Sequence, residues 1–345
     1  MPTRLGLVLM TCICSQFSAL AAFANTDDTN TCPTAHPPVL SLDYGSRYNT
    51  DDSSRSNINS ASNADVNQQL EPLDDFLIDL SEQIVGIYED DQDPVQVANC
   101  VVSQLAEWAK ADALSDLGSE TAELTIGSRL ASIGLIMLQA SWHSNSYGDI
   151  LLVDSWVEGL MDRQMTFWET APEGASRGNL RAWAALAATA HAYRTEDIVL
   201  QSWAIWSTNY VMCTANEDGS LPQEMRRGRY ALHYQLHAIS PLVTSVALLK
   251  SQGHSLDWRC NFAINRIVNF ALSDLDDGQQ TQAITGQQQS FFDGSALLAP
   301  YQLAWLEAYV WLNPSTELEE LLESVRPLTF SKLGGHQTLF WTNIR

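Results

Sequence analysis

From Leu73 onward, apolar residues return at every third or fourth position: Phe76, Leu77, Leu80, Ile84 and Ile87, then Val97, Val101, Leu105, Trp108 and Ala109. That spacing gives helices with one apolar face, whereas a strand alternates every second residue. Further helical stretches are predicted over about 119–141, 149–169, 179–193, 196–213, 230–251, 257–273, 295–312 and 316–325, joined by short connections rich in Gly, Pro, Asn or Asp. No convincing run of alternating strands competes. Consecutive helices on short links pack antiparallel, so the chain is expected to be all-α, with stacked hairpins curling into an incomplete (α/α) toroid around a central groove.

Ahead of the helices, residues 1–24 carry Arg4, an interrupted apolar run from Leu5 to Phe23 and an Ala22-Phe23-Ala24 cleavage pattern, the form of a secretory signal peptide. Residues 25–72 are rich in Asp, Ser, Asn and Thr and are assigned to an extended N-terminal arm, leaving 73–345 as the toroid domain. The residue before Cys12 is Thr11, a poor match to a lipidation site, and no later segment approaches the roughly 20 apolar residues of a membrane span. The expected product is a soluble periplasmic protein with no membrane partner. Of the six cysteines, Cys12 and Cys14 leave with the signal, and Cys32, Cys100, Cys213 and Cys260 remain. An even number in an oxidising compartment implies two disulfides. Pairing Cys32 with Cys100 and Cys213 with Cys260 is favoured, because the first would staple the arm to the helical body. No pair has zinc-ligand spacing and no His-Glu-x-x-His occurs, so neither metal nor other cofactor is expected.

The formal net charge is −23, with only 18 Lys and Arg against 41 acids, which excludes nucleic acid as a partner. Six of those eighteen cations nevertheless fall between Arg177 and Arg229, and what steers a ligand is the local potential of a cleft. Two segments concentrate the chemistry. Gly219 to Tyr234 contains Glu224, Arg226, Arg227, Arg229 and Tyr234, and Asn179-Leu-Arg-Ala-Trp183 precedes it. An amide, paired guanidiniums and a phenol can together meet one sugar carboxylate. Most tryptophans, including Trp108, Trp156 and Trp203, are assigned to the core. Trp183, one helical turn after Asn179, is set apart as an aromatic platform for a sugar ring.

At these motifs the chain resembles the alginate lyases of polysaccharide lyase family five. The likeness runs from Cys32-Pro33 and Ser46-Arg-Tyr48 through Trp108 to Leu114, Asn179 to Trp183, Leu221 to Tyr234 and Ala304 to Tyr309, ending at Leu333-Gly-Gly335. The resemblance implies an incomplete (α/α) toroid and β-elimination on an anionic uronate polymer, with a role alongside exopolysaccharide export machinery. It implies Asn179 and Arg227 as the groups neutralising the substrate carboxylate, Tyr234 as catalytic phenol, Trp183 as subsite aromatic and Arg47 as a substrate contact in place of the family's Lys; Arg226 and Arg181, cations of the same two segments, are assigned as further substrate contacts. Two positions depart from the pattern. Leu180 stands where the family has its catalytic histidine, and Gln235 where a histidine follows the tyrosine.

In mannuronate and glucuronate the C5 proton and the C4 oxygen leave from one side, so a single tyrosine can take the proton and return it to the leaving oxygen. In guluronate they leave from opposite faces and a second residue is needed. Leu180 therefore argues against guluronate, with His237 as a candidate substitute base whose plainer reading, like that of His191, is structural. Two alternatives stay open. Glu224 and Asp218 could act as the paired carboxylates of an inverting glycoside hydrolase, or the chain could bind polysaccharide without turning it over.

Overall fold

The computed structural model describes residues 32–344, and the signal segment assigned to 1–24 lies outside them. In chain order its helices are α1 (Ser60–Gln83), α2 (Pro94–Lys110), α3 (Glu120–Thr125), α4 (Gly127–Ser141), α5 (Tyr147–Thr170), α6 (Glu173–Ser176), α7 (Asn179–Thr195) and α8 (Ile198–Met212). They continue with α9 (Pro222–Met225), α10 (Ala231–Ser251), α11 (Arg259–Leu272), α12 (Gln279–Thr285), α13 (Leu306–Leu312), α14 (Thr316–Val325) and α15 (Gln337–Asn343). Strands among the described residues are two residues long: β1 (Ser41–Leu42) pairs parallel with β2 (Asp116–Leu117), and β3 (Thr329–Phe330) pairs antiparallel with β4 (Gly335–His336).

The helices pair as hairpins, an inner helix followed by an outer one. α4, α7 and α10 are buried on nearly every face, and α7 packs against both of the others. Their successors α5, α8 and α11 bury a narrower face. α1 packs on α4 and α13 on α10, so an inner row runs α1, α4, α7, α10, α13. This is the (α/α) toroid expected from the periodicity. Small side chains make the row possible. α7 carries Ala182, Ala184, Ala185, Ala187, Ala188, Ala190 and Ala192, all buried. A Cβ on Gly127 of α4 would stand 2.8 Å from the Ala184 backbone nitrogen, and one on Gly134 would stand 3.0 Å from the Ala190 methyl, so a larger residue at either place would push α4 and α7 apart.

Four expectations are corrected. The extended arm ends early, because α1 begins at Ser60, inside the stretch assigned to it. Asn59 caps α1 by accepting from the Ser62 N–H at 3.0 Å, and Val66, Leu70 and Leu73 bury at helical spacing beneath a polar composition. The helix expected over 119–141 is two, α3 and α4, meeting at Ile126. The helix expected from 295 becomes a 3-10 turn opened by Pro300, Pro300–Leu303, followed by α13. At the start of α11, Cys260, Asn261 and Phe262 are left-handed, with φ of 50°, 57° and 55°. Cys260 there closes a disulfide with Cys213, Cα to Cα 5.4 Å, while Cys32 and Cys100 are both disulfide-bonded as well. Trp108 is core, fully buried and stacked on Phe76 with ring centroids 4.2 Å apart.

Candidate active cleft

Because each outer helix returns the chain, the inner helices α4, α7 and α10 all begin at the same end of the fold. Arg129 is the third residue of α4, Asn179 the first of α7 and Tyr234 the fourth of α10, and all three line one cleft of about 860 Å³, its open mouth included. Three positive helix ends therefore converge on it. A loop carrying Tyr44, Arg47, Tyr48 and Arg55 forms one wall, and Lys332 comes from the turn between β3 and β4. The loop is closed at its neck by backbone bonds from Asn49 to Asn57 at 3.0 Å and from Asn59 to Arg47 at 2.9 Å. Within it, the Ser54 hydroxyl and the N–H groups of Asn57 and Ser56 hold the Asp52 carboxyl well below its ordinary range. Among the described residues, five cationic side chains line the cleft, Arg47, Arg55, Arg129, Arg227 and Lys332, and no carboxylate does. That inverts the sign of the molecule as a whole.

At the centre, the hydroxyls of Tyr234 and Tyr48 are in contact. The Arg227 guanidinium lies 4.3 Å from the Tyr234 ring centroid and 5.8 Å from that of Tyr48. Burial pushes the Tyr48 phenol above its usual value although Arg227 and Arg47 pull the other way. Arg227 is 8 % exposed, and its Nε and Nη1 have no protein partner. Arg129 is held by a bidentate pair with Asp74 at 2.8 and 2.7 Å, and Arg47 donates to Asn63 Oδ1 at 2.7 Å and also to Asn67. Burial, with Arg129 nearby, draws Lys332 down to about 8.

Glu224 does not line the cleft as an acid. Fully buried, it accepts from the Asn179 backbone N–H at 2.8 Å and from Asn179 Nδ2 at 2.9 Å, fixing that amide at the first turn of α7. Burial raises its pKa, against the opposing pull of Arg227 and of the Asn179 bonds. Asn179 Oδ1 is left buried without a protein partner. Gln235 points away from the cleft: it accepts from Leu221 N–H at 3.0 Å and donates to the Gly219 carbonyl at 3.0 Å, stapling to α10 the loop that delivers Glu224 and Arg227.

Several assigned roles change. Trp183 borders the cleft at 1 % exposure, and its Nε1–H donates to His237 Nε2 at 3.0 Å. An indole N–H only donates, so His237 must accept through Nε2 and, when neutral, carries its proton on Nδ1. Burial, with Lys332, His233 and Arg227 adding to it, holds His237 well below its usual value, leaving no free lone pair for a substitute base. Arg181 is not a substrate contact. It sits behind α7, 3 % exposed, donating to Ser207 at 3.2 Å and lying 4.5 Å from the Trp206 ring and 5.1 Å from Tyr210. Residues 179 and 181 are two apart on a helix and face opposite ways. Arg226 is exposed and lines side pockets beside the cleft, while Arg229 pairs with Asp293 at 2.6 Å. His191 is structural, with burial drawing it down to about 4. Asp218 is exposed and caps its own loop by accepting from Ser220 N–H at 2.9 Å, so the paired carboxylates of a hydrolase are not assembled. Leu180 lines the cleft where the histidine was missed.

Sequence reasoning passed over Tyr48, Arg55, Arg129 and Lys332. Tyr48 follows Arg47 in a quoted motif, and Lys332 immediately precedes Leu333-Gly-Gly335, so both stood beside the signal.

A family model described as alginate lyase matches residues 120–281. An alginate lyase of Pseudomonas fluorescens (strain SBW25) is 26% identical over 93% of this chain and 87% of its own length, and one of Cobetia marina is 24% identical over 93% and 87%. Among solved structures, alginate lyase A1-III from Sphingomonas species A1 superposes with a TM-score of 0.72 at 20% identity, covering 89% of this chain and 85% of that one. A tyrosine-to-phenylalanine variant of alginate lyase A1-III complexed with tetrasaccharide gives 0.76 at 21% identity, covering 91% and 87%. By sequence and by fold, the chain is similar to the alginate lyases.

Proposed function

We propose that the protein is a polysaccharide lyase that cleaves a 4-O-linked uronate polymer, mannuronan or a glucuronate-containing chain, by β-elimination with Tyr234 as both base and acid. The observation that carries this reading is one small assembly: two touching phenols, Tyr234 and Tyr48, beneath an Arg227 guanidinium with open donors, in a cleft lined only by cationic charge. Its relatives bear the name alginate lyase.

The C5 proton of a uronate is weakly acidic because the electrons left behind must enter the neighbouring carboxylate. Arg227 and the second Nδ2 hydrogen of Asn179 meet that carboxylate and stabilise the enolate as it forms. Glu224 keeps the amide turned for this, and Asn179 Oδ1 accepts from a sugar hydroxyl. Tyr234, as phenolate, takes the C5 proton. The C5–H electron pair becomes the C4=C5 double bond, the C4–O bond breaks, and the leaving oxygen recovers the proton from Tyr234. Arg227 beside the ring and the Tyr48 hydroxyl both stabilise the phenolate. With Leu180 in place of histidine and His237 committed to Trp183, no second base faces the opposite side of the sugar, which favours syn elimination and disfavours guluronate. The signal-like N-terminus and the oxidised cysteines support a periplasmic site of action.

Ultraviolet absorbance of unsaturated uronate released from mannuronan, guluronan and glucuronan tests this. Product from the first or third, lost about 10³-fold in Tyr234→Phe, is expected. Silence on all three with binding retained would favour a binding protein, and turnover of guluronan would overturn the single-base mechanism.

A further inference from the structure

The cleft does not end at Arg227. It shares Arg55, Leu124, Leu180 and Arg227 with a side pocket that also holds Arg226. That pocket shares Gly174, Gln223 and Arg226 with a third, lined by Arg177, Thr214 and Pro222. Beyond the third, Arg177 has Tyr210 as an electrostatic neighbour, and the Tyr210 ring stacks on Trp206 with centroids 5.2 Å apart and planes at 19°. Trp206 is 50% exposed. Arg181 behind both rings holds them in place.

Charge follows the same route. With Arg177 and Arg226 added to the five cations of the cleft, seven of the eighteen Lys and Arg in a chain of net charge −23 line these joined pockets. Glu120 and Glu173 also line the outer two. Glu173 pairs with Arg177 at 2.6 Å, but both side chains are exposed, so the pair is weak and open to exchange with another carboxylate.

We propose that Arg226, Arg177 and the Trp206–Tyr210 ring pair form a distal subsite that binds further residues of the same polyanion, away from the reacting sugar. A uronan presents a carboxylate on every residue and an apolar C–H face on each ring. The guanidiniums take the first and the half-exposed indole the second. This rests on the reading of the cleft as a uronan site. Its consequence is a preference for long chains, since each extra contact is made by a strand already held in the cleft.

The test compares KM for the polymer from which product is released, mannuronan or glucuronan, and for its tetrasaccharide in the full-length mature protein. Arg177→Gln, at an exposed position, is expected to raise the polymer KM about fivefold and leave the tetrasaccharide KM unchanged. Trp206→Leu, with its fold checked by thermal melting, is expected to act the same way. An equal effect on both substrates, or on neither, overturns the distal subsite. Should the wild type release no unsaturated product, the reading of the cleft fails, and calorimetric titration of Tyr234→Phe with the two lengths then decides. A polymer preference abolished by Arg177→Gln upholds the distal subsite, whereas equal affinity or no binding overturns it.

Discussion

Arg181 and Arg227 are both buried guanidiniums set against aromatic rings, on opposite sides of the first turns of α7. Arg181 is enclosed by Trp168, Trp203, Trp206 and Tyr210 and donates to Ser207. Arg227 lies against Tyr48 and Tyr234, with Nε and Nη1 unpaired at the wall of the cleft. Burial and aromatic neighbours are common to the two. What separates a scaffold cation from a site cation is where its open edge faces.

The largest effect expected from breaking this contrast is at Arg227. Arg227→Gln should lower kcat/KM on the preferred uronan by about 10²–10³-fold, read from product absorbance, with a thermal midpoint close to that of the wild type. Arg181→Ala should do the reverse: kcat/KM on the tetrasaccharide, too short for the distal subsite, within about twofold, and stability lowered by roughly 2–4 kcal/mol in urea unfolding, because a cavity opens among four rings. If Arg181→Ala instead abolishes turnover while the fold holds, the division between the two arginines fails.

The line between site and scaffold was only partly legible in the chain. Asn179, Arg227 and Tyr234 could be picked out because amide, guanidinium and phenol are chemically unusual together. Arg181 was misplaced for a geometric reason: nearness in a motif says nothing of which way a helix turns each side chain. Arg129 and Lys332 reach the cleft from α4 and from the C-terminal turn, and no local pattern encodes that meeting. The helical class was plain from the apolar spacing, yet α1 was cut short because Asn, Asp and Gln dominate its first half while only Val66 and Leu70 mark its buried face. A capping Asn59 was the available sign.

Two smaller effects sharpen the comparison. Glu224 serves the site from within the scaffold, so Glu224→Gln should lower kcat by about tenfold through loss of the fixed Asn179 amide, with KM less affected. Its folded pKa is raised from the ordinary 4.5, chiefly by burial. The stability linked to it is complete below that value and is lost as pH rises through the raised one, so melting temperature against pH should be flatter in the variant. Lys332, drawn down to about 8, is cationic below that pH and neutral above it. KM for polymer should therefore rise by about threefold as pH climbs through 8, and Lys332→Arg, which stays charged, should remove the rise.

The shared starting end of α4, α7 and α10 has a consequence for how such a protein can change. The segments entering those helices deliver residues to the same opening, while the close approach of Gly127 and Gly134 to α7 lies in the packed wall behind it. Residues can be exchanged at the opening with little cost to the wall, whereas a single methyl added at Gly127 would disturb both. The contacts of the opening can thus be changed by replacement at helix entrances, on a frame that accepts almost no revision.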